Sequence, residues 1–203
     1  MQNPPPDPRK FSRLRWIQQI TENHCGPAVI QMLLENIGVN VSQQEITEAA
    51  GATQTIDTHG TRVDQLAKAV QQLVPIARLW YKEKASLDDL KYVLDECKYP
   101  AGVEWQGLFD DMDDDDEDYG HYSVLAHIDT AKDELIIVDP YKDFVDQNRI
   151  IKVSTFLDRW WDFNEVKDPE TGKKEFKKDE QLFFVVVPLS VTFPVELGMQ
   201  AYY

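Results

Sequence analysis

Residues 23–38 read NHCGPAVIQMLLENIG and carry the first strong helical pattern in the chain. Apolar side chains stand at positions 29, 30, 33, 34 and 37, which is the spacing of one buried helix face. Pro27 suits the first turn of a helix, where its missing N–H is not needed, and Gly38 suits the end. The pattern therefore predicts a core helix with Cys25 at its entry.

The rest of the first half is also predicted to be mainly helical. Ser42, Thr61 and Ser86 each stand ahead of an apolar-periodic segment in the position of a helix cap. Residues 76–81 alternate between apolar and polar side chains, as a short strand does. The first half is therefore expected to supply a helical layer.

The second half changes to strand patterns. Strands are predicted at 102–106, 121–128, 134–138 and 181–189, a short helix at 154–161, and an exposed hairpin or mobile insert at 163–178. Helices followed by strands indicate an α+β fold with separate layers, in which the helical half packs on an antiparallel sheet. Residues 1–15 are Pro-rich and predict a flexible tail, followed by a single domain over 16–203.

Composition and charge exclude several classes of function. The chain has 203 residues, with 21 basic and 36 acidic side chains, so its formal net charge is −15. Such a surface repels phosphate backbones and anionic lipid, so we expect neither a nucleic-acid partner nor membrane docking. No apolar run approaches the ~20 residues of a membrane-spanning helix, and the first residues lack a secretory signal pattern. A cytoplasmic location is therefore expected.

The two cysteines, Cys25 and Cys97, call for separate interpretations. Cys97 ends an apolar-periodic segment and is interpreted as a half-buried helix cysteine. Cys25 stands at the start of a helix, where unpaired N–H groups and partial positive charge favour the nucleophilic thiolate. On this segment alone, Cys25 is equally well interpreted as a nucleophile or as a buried cysteine that begins a core helix.

A cysteine nucleophile needs a nearby base and a group that orients the base. His121 begins a predicted strand, and the hairpin that follows ends at Asp139, so both side chains are expected at one end of the hairpin. An ordinary turn residue before proline is the alternative for Asp139. His24, His59 and His127 are weaker candidates, because they are predicted to point away from Cys25, to lie in a loop, or to lie inside a strand.

An oxyanion donor is expected upstream of Cys25. Gln19 stands six residues before Cys25, and its amide N–H is a candidate partner for the Cys25 backbone N–H in holding a developing oxyanion. One such donor stabilises the transition state by about 3 kcal/mol. Gln18 is an equal candidate on spacing alone.

This ordered set of motifs resembles the C39 family of papain-like cysteine peptidases, which includes the bacteriocin-processing domains and their free-standing relatives. The motifs are Gln19 and Cys25-Gly-Pro-Ala, then Gly120-His121-Tyr, then Val138-Asp139-Pro140. The resemblance runs from about residue 17 to residue 187. It implies a papain-like fold, with Cys25 as nucleophile, His121 as base, Asp139 as the orienting residue and Gln19 as oxyanion donor. It also implies cleavage of peptide bonds, commonly after small residues such as a double glycine.

Two features depart from that pattern. Asn23-His24 stands where the bacteriocin-processing members usually have an acidic residue, and the run 110–118 holds eight acidic residues just before His121. Such runs are usually solvated because their charges repel. The attachment of the run to Gly120 and His121 also allows it to attract basic peptides, to raise the pKa of the histidine or to cover the cleft.

The leading prediction is a cysteine-dependent amide or peptide-bond hydrolase that acts through a thioester. The alternatives are an acyl transferase that uses the same site and a peptide-binding module of this fold without catalysis. The expected partner is a peptide or protein substrate, with basic peptides favoured by the acidic run. No metal or other cofactor is expected, because no HExxH or CxxC spacing is present. The oligomeric state is not predicted.

Overall fold

The computed structural model describes residues 14–109, 120–167 and 171–202. Residues 1–13 of the predicted tail and the acidic run 110–118 lie outside the described residues. The described helices are α1 (Cys25–Asn36), α2 (Gln43–Ala50), α3 (Ile56–His59), α4 (Val63–Leu73), α5 (Leu87–Lys91) and α6 (Val153–Arg159). A π-helical turn, Tyr92–Glu96, extends α5, and the two 3-10 turns are Lys142–Phe144 and Val195–Leu197.

Seven strands form one sheet in the order β5-β4-β3-β2-β8-β1-β9, and all neighbouring pairs are antiparallel. The strands are β1 (Ala77–Lys82), β2 (Ala101–Gln106), β3 (Gly120–Asp129), β4 (Glu134–Val138), β5 (Asn148–Lys152), β8 (Phe183–Pro188) and β9 (Gln200–Ala201). A separate two-stranded hairpin consists of β6 (Trp161–Lys167) and β7 (Lys174–Glu180). The predicted hairpin between the strands around residues 121 and 138 is confirmed as β3–β4.

Each face of the sheet has its own apolar core. The first core packs α1, α2 and α4 against one face, and Cys25 and Tyr122 belong to it. The second core packs the α5 region and α6 against the other face, around Trp105 and Phe156. The helices therefore cover both faces of the sheet, and β1 from the first half lies within it, between β8 and β9.

Local sequence signals account for most helix ends. Ser42 and Ser86 both form capping boxes, with Glu45 and Asp89, as predicted. The predicted cap at Thr61 is wrong, because Arg62 is the N-cap of α4 and its backbone N–H donates to the Gln65 side chain. No helix in the described part of the chain is long and apolar enough to span a membrane.

Candidate active site

Cys25 is the first residue of α1, and only 9% of it is exposed. The helix packs on β3, which brings the start of α1 to the start of β3. Gly26 is required at the next position, because a Cβ there would lie 2.3 Å from Thr61 Oγ1 and 3.3 Å from the Tyr122 ring. The backbone beside the cysteine is therefore packed tightly between α4 and β3.

His121 lies beside Cys25 and is almost fully buried. Its Nε2 is 2.8 Å from Asp139 Oδ1, so Nδ1 is the nitrogen left to face Cys25, whose side chain is within hydrogen-bonding reach of the imidazole. Burial lowers the pKa of His121, but the Asp139 charge and the hydrogen bonds to Asp139 and Cys25 outweigh burial and raise that pKa to about 10. The structure thus brings together the three side chains that the sequence analysis selected.

Asp139 is fully buried at the end of β4, and its carboxylate accepts several hydrogen bonds. Oδ1 accepts from His121 Nε2 and, at 3.0 Å, from the Tyr141 backbone N–H. Oδ2 accepts from Arg149 Nη1 at 2.5 Å and from Ser123 Oγ at 3.4 Å. Burial alone raises the pKa of Asp139, but the His121 charge and hydrogen bond, followed by the Arg149 charge, lower it to about 2. This aspartate is therefore ionised across the physiological range.

Arg149 is a site residue that the sequence analysis missed. It reaches in from β5, ion-pairs with Asp139, and donates a second hydrogen bond to the Leu108 backbone carbonyl. Its guanidinium carbon lies 3.8 Å from the centroid of the Phe144 ring. No local pattern around Arg149 marks it, because its partners are far away in sequence.

The segment that carries Gln19 is fixed to the loop of Asp139. The Gln19 backbone N–H donates to the Pro140 carbonyl at 2.9 Å, and Trp16 Nε1 donates to the Asp139 carbonyl at 2.6 Å. Gln43 of α2 holds the same segment, since its side chain bonds the Gln18 carbonyl and the Ile20 N–H. This anchoring brings position 19 close to the site.

Gln18 and Gln19 are in different environments. Gln18 is exposed, whereas Gln19 is buried. Gln19 Nε2 donates to the backbone carbonyls of Thr21 and Glu22, both at 2.9 Å, and its Oε1 has no hydrogen-bond partner among the described residues. The N–H groups of Gln19 thus stabilise the turn before Cys25 in this conformation, and an oxyanion would have to compete with those two carbonyls.

The other histidines lie in different surroundings. His24 is the N-cap of α1, and its Nδ1 is 2.6 Å from Thr21 Oγ1. Burial lowers the pKa of His24, and the negative charge of Asp57 offsets only part of that effect. His59 is exposed on α3, and His127 is half-buried beside an irregularity in the β3–β4 pairing. Of the four histidines, His121 is the one with a buried carboxylate partner and Cys25 beside it.

Cys25 lines a cleft of about 480 Å³ between the α3–α4 region and the β6–β7 hairpin. One wall includes Thr58, His59 and Arg62, and the opposite wall includes Phe163 and Phe176. Phe176 is 75% exposed, so its ring is available to a bound molecule in the cleft. The cleft offers both polar and aromatic contacts next to the cysteine.

A buried polar network under the hairpin was also missed. Glu104 of β2 accepts hydrogen bonds from the Tyr122 hydroxyl at 2.5 Å and from Asn164 Nδ2 at 3.1 Å. Burial raises the pKa of Glu104 to about 7, and the nearby Asp179 charge adds to the rise. A glutamate inside the apolar run Gly102-Val-Glu-Trp was the available signal, because buried glutamates are rare unless they are partnered.

Within the described ranges, no group of three or more His, Cys, Asp or Glu side chains is placed to hold a metal ion. The acidic network of Glu104, Asp162 and Asp179 belongs to the packing of the hairpin, with Asp179 paired to Lys177 at 2.8 Å. Asp162 accepts a hydrogen bond from Gln106 at 3.0 Å. Cys25, His121 and Asp139 bring a thiol, an imidazole and a carboxylate together at the site.

Comparisons with known proteins show the family and the fold of the chain. The model of the Peptidase_C39 like family matches residues 11–168, and a comparison with curated proteins gave no match. One similar structure is the peptidase domain of Streptococcus ComA, a bi-functional ABC transporter involved in a quorum sensing pathway. Its TM-score with this chain is 0.57 at 20% sequence identity, and the alignment covers 85% of this chain and 96% of the ComA domain. A second similar structure is a double glycine motif protease from an AMS/PCAT transporter, in complex with the leader peptide. Its TM-score with this chain is 0.54 at 15% sequence identity, and the alignment covers 88% of this chain and 94% of the protease.

At these identities, the two solved structures are similar in fold alone. The helices and antiparallel sheet of this chain match both structures in fold, so the predicted papain-like α+β fold is confirmed. The match over residues 11–168 covers most of the chain and ends within the β6–β7 hairpin, before β7. The hairpin wall of the cleft is thus completed by residues beyond the matched region.

Proposed function

The chain belongs to the peptidase C39-like family, and from this premise we propose that it is a cysteine peptidase that cleaves amide bonds through a thioester. Cys25 acts as the nucleophile, His121 as the base and Asp139 as the residue that orients His121. The observation that supports this proposal most strongly is the chain of contacts from Cys25, which lines the cleft, through the buried His121 to the buried Asp139.

Acylation starts from the pair in which His121 holds the proton and Cys25 is the thiolate, which is the form that the raised pKa of His121 favours. The sulfur attacks the peptide carbonyl, and a tetrahedral intermediate forms. The imidazolium then donates its proton to the leaving amine as the C–N bond breaks, which leaves a thioester on Cys25. Asp139 fixes the ring with Nε2 toward itself and stabilises the imidazolium.

Deacylation uses the same groups in reverse order. His121, now neutral, takes a proton from a water molecule in the cleft as that water attacks the thioester carbonyl. The tetrahedral intermediate collapses, the carboxylic acid product leaves, and the Cys25 thiolate is released beside the imidazolium, which keeps the proton taken from water. Cys25 lines the cleft, which gives water access to the thioester.

The oxyanion of both intermediates lies near the N-terminus of α1. The Cys25 backbone N–H is one donor, since the first N–H groups of a helix have no partner within that helix. Gln19 is the second donor. Because its Nε2 bonds the Thr21 and Glu22 carbonyls, Gln19 donates to an oxyanion only when one of those bonds opens or is shared.

The proposed substrate is a peptide or protein segment. The ComA domain and the AMS/PCAT protease are peptidases, and the second was crystallised with a leader peptide. A preference for small residues before the scissile bond is the family expectation carried over from the sequence motifs. A preference for basic peptides and a cytoplasmic location stay predictions from the sequence.

The test is cleavage of a mixed peptide library, with the products identified by mass spectrometry. We expect new peptide ends with the wild-type chain, none with Cys25→Ala or His121→Ala, and unchanged cleavage with the matched control Cys97→Ala. Cleavage that survives in Cys25→Ala would sink the proposal, and so would a wild-type chain that cleaves nothing under conditions where it is folded.

A further inference from the structure

Arg149 and His121 bind opposite oxygens of the same buried carboxylate. We propose that Arg149 is a positioning residue that shares Asp139 with His121, and so keeps the imidazolium able to give its proton to the leaving amine. This inference rests on the proposed peptidase function. It concerns how readily the His121 imidazolium gives up its proton, which the sequence motifs around Cys25 and His121 do not indicate.

The orientation of the Asp139 carboxylate is set by contacts other than the one to Arg149, so the charge of Arg149 can be removed while the carboxylate stays in place. Asp139 Oδ1 is held by His121 Nε2 at 2.8 Å and by the Tyr141 N–H at 3.0 Å, whereas Arg149 binds Oδ2. Ser123 Oγ also reaches Oδ2, at 3.4 Å. Three contacts therefore keep Asp139 in place without Arg149, and the main loss on removing the guanidinium is its positive charge.

Arg149 is itself held firmly, as a residue with this role must be. Its side chain is 13% exposed, one nitrogen binds Asp139, and another binds the Leu108 carbonyl. The ring of Phe144 stacks 3.8 Å from the guanidinium carbon. A guanidinium fixed on three sides keeps a constant distance from the carboxylate, so its charge acts on the site at all times.

The groups around His121 show why an added cation matters. Cys25 faces it from α1 and Asp139 from the turn after β4, and the carboxylate of Asp162 on β6 lies against the preceding Gly120. Trp105, its partner on β2, carries no charge. The negative groups hold the proton on His121, whose pKa is about 10 despite burial, and the Arg149 charge opposes them through Asp139.

Loss of the Arg149 charge affects one chemical step, which is the transfer of a proton from His121 to the leaving amine. In acylation, the N–H bond of the imidazolium breaks and a proton passes to the amine nitrogen as the C–N bond breaks and the thioester remains. An imidazolium that holds its proton more tightly is a weaker acid, so this transfer slows. A leaving group that departs as an anion, such as nitrophenolate, needs no proton and is not slowed.

The test compares two substrates that share one acyl peptide: a p-nitroanilide, whose leaving amine needs a proton, and a p-nitrophenyl ester. For Arg149→Gln, we expect kcat/KM on the anilide to fall several-fold, because a weaker imidazolium acid slows protonation of the leaving amine, and kcat/KM on the ester to change much less. Arg149→Lys, which keeps the charge, should behave on both substrates nearly as the wild type does.

Arg159→Gln is the matched control, since Arg159 donates to the Gln106 and Gly107 carbonyls near the site. It should leave the ratio of the anilide and ester rates unchanged. Equal losses on both substrates in Arg149→Gln, or the selective loss in Arg149→Lys as well, would overturn the proposal. Arg149→Met serves as a second neutral variant if Arg149→Gln does not fold.

A second readout needs no peptidase activity. The His121 ring carbon Cε1 is followed by NMR in histidine-labelled full-length chain, and its titration should move to higher pH in Arg149→Gln and stay in place in Arg149→Lys. An unchanged or downward titration in Arg149→Gln contradicts the inference. If the wild type cleaves neither substrate, the proposed function fails, whereas this titration still decides whether Arg149 and His121 share Asp139.

Discussion

Asp139 illustrates how one buried carboxylate sets the chemistry of its neighbours. Its negative charge holds a proton on His121, while Arg149 limits that effect from the opposite oxygen. Neither cation is exposed enough for solvent to screen these charges strongly. The three residues must therefore be understood together, since a change in one alters the pKa of another.

Asp139→Asn removes the charge and keeps the size of the side chain. An amide cannot satisfy donors on both of its ends, so its nitrogen would face Arg149 or the Tyr141 N–H. We expect kcat/KM on a cleaved peptide to fall roughly 100-fold or more, as in other triads that lose this charge. Activity within twofold of the wild type would show that Asp139 does not orient the base.

His121 should make stability depend on pH. Its pKa is raised to about 10 in the folded chain, from about 6.5 in unfolded chains, so its contribution to folding is complete below pH 6.5 and is lost as the pH rises toward 10. Asp139, with a pKa of about 2, contributes above pH 4 and loses that contribution as the pH falls toward 2.

Urea unfolding at pH 6 and pH 9.5 measures the alkaline effect. The wild type should lose stability between these pH values, and His121→Gln, which has no titrating ring, should lose less. If both chains change by the same amount, the raised pKa of His121 is wrong. Cys25→Ala helps to separate the contribution of the thiol from that of Asp139.

The sequence motifs predicted Cys25, His121 and Asp139, because each stands at the end of a recognisable helix or strand. They did not predict Arg149, whose contacts to Asp139 and Leu108 depend on how β5 lies beside β4. Spacing also could not separate Gln18 from Gln19. That choice depends on burial, which the anchoring of the segment to Pro140 and Gln43 determines.

At the scale of elements, the β6–β7 hairpin depends on polar contacts more than on apolar packing. Asn164 of β6 bonds both Glu104 and Asp179, and Lys177 pairs with Glu83 at 2.7 Å. Its large apolar side chains Phe163 and Phe176 are substantially exposed and face the cleft. The position of this wall is therefore sensitive to the charge of the network beneath it.

Glu104→Gln tests that dependence. Glu104 has a pKa of about 7 in the folded chain, so it takes up a proton on folding between pH 4.5 and 7, and its charged form opposes folding at higher pH. Glutamine keeps an acceptor for Tyr122 and carries no charge. We expect the variant to be more stable than the wild type at pH 9, on the order of 1–3 kcal/mol, and close to it at pH 5.

The measurement is urea unfolding of both chains at the two pH values. Tyr122→Phe is a useful companion, since it removes the hydroxyl that donates to Glu104 and keeps the ring that packs near Gly26. A Glu104→Gln chain that is less stable than the wild type at pH 9 would show that the carboxylate is needed in its charged form.

Elements with a local signal were predicted, and elements without one were missed. The capping boxes at Ser42 and Ser86 are read from four residues each, and the structure contains both. Strand β5, at the edge of the sheet, carries no clear alternation of buried and exposed residues and was not predicted. The short helix α3 was interpreted as a loop, because four residues are too few for a periodic pattern.

At the scale of the whole molecule, the sheet divides the chain into two cores, and the candidate site lies at the end of the first. The α1 helix carries Cys25 from the helical layer, while β3 and the turn after β4 carry His121 and Asp139 from the sheet. The cluster of Cys25, His121 and Asp139 therefore exists only when the helical layer and the sheet are packed together.

The fate of the thioester separates hydrolysis from the two alternative functions. Because Cys25 lines an open cleft, we expect water to be the main acceptor, so that adding 10 mM of an amine such as glycine amide leaves most product as the free acid. Mass spectrometry of the products gives the ratio. Mainly amide product would indicate an acyl transferase, and binding without any product a peptide-binding module.

The central claim is that His121 activates Cys25. The rates at which iodoacetamide modifies Cys25 and Cys97 at pH 7 test it most directly, because burial and the Glu96 charge raise the pKa of the Cys97 thiol and make it a slow internal reference. The account predicts that Cys25 reacts at least about tenfold faster than Cys97, and that His121→Ala abolishes the difference. Equal rates in the wild type, or a fast Cys25 in His121→Ala, would contradict it.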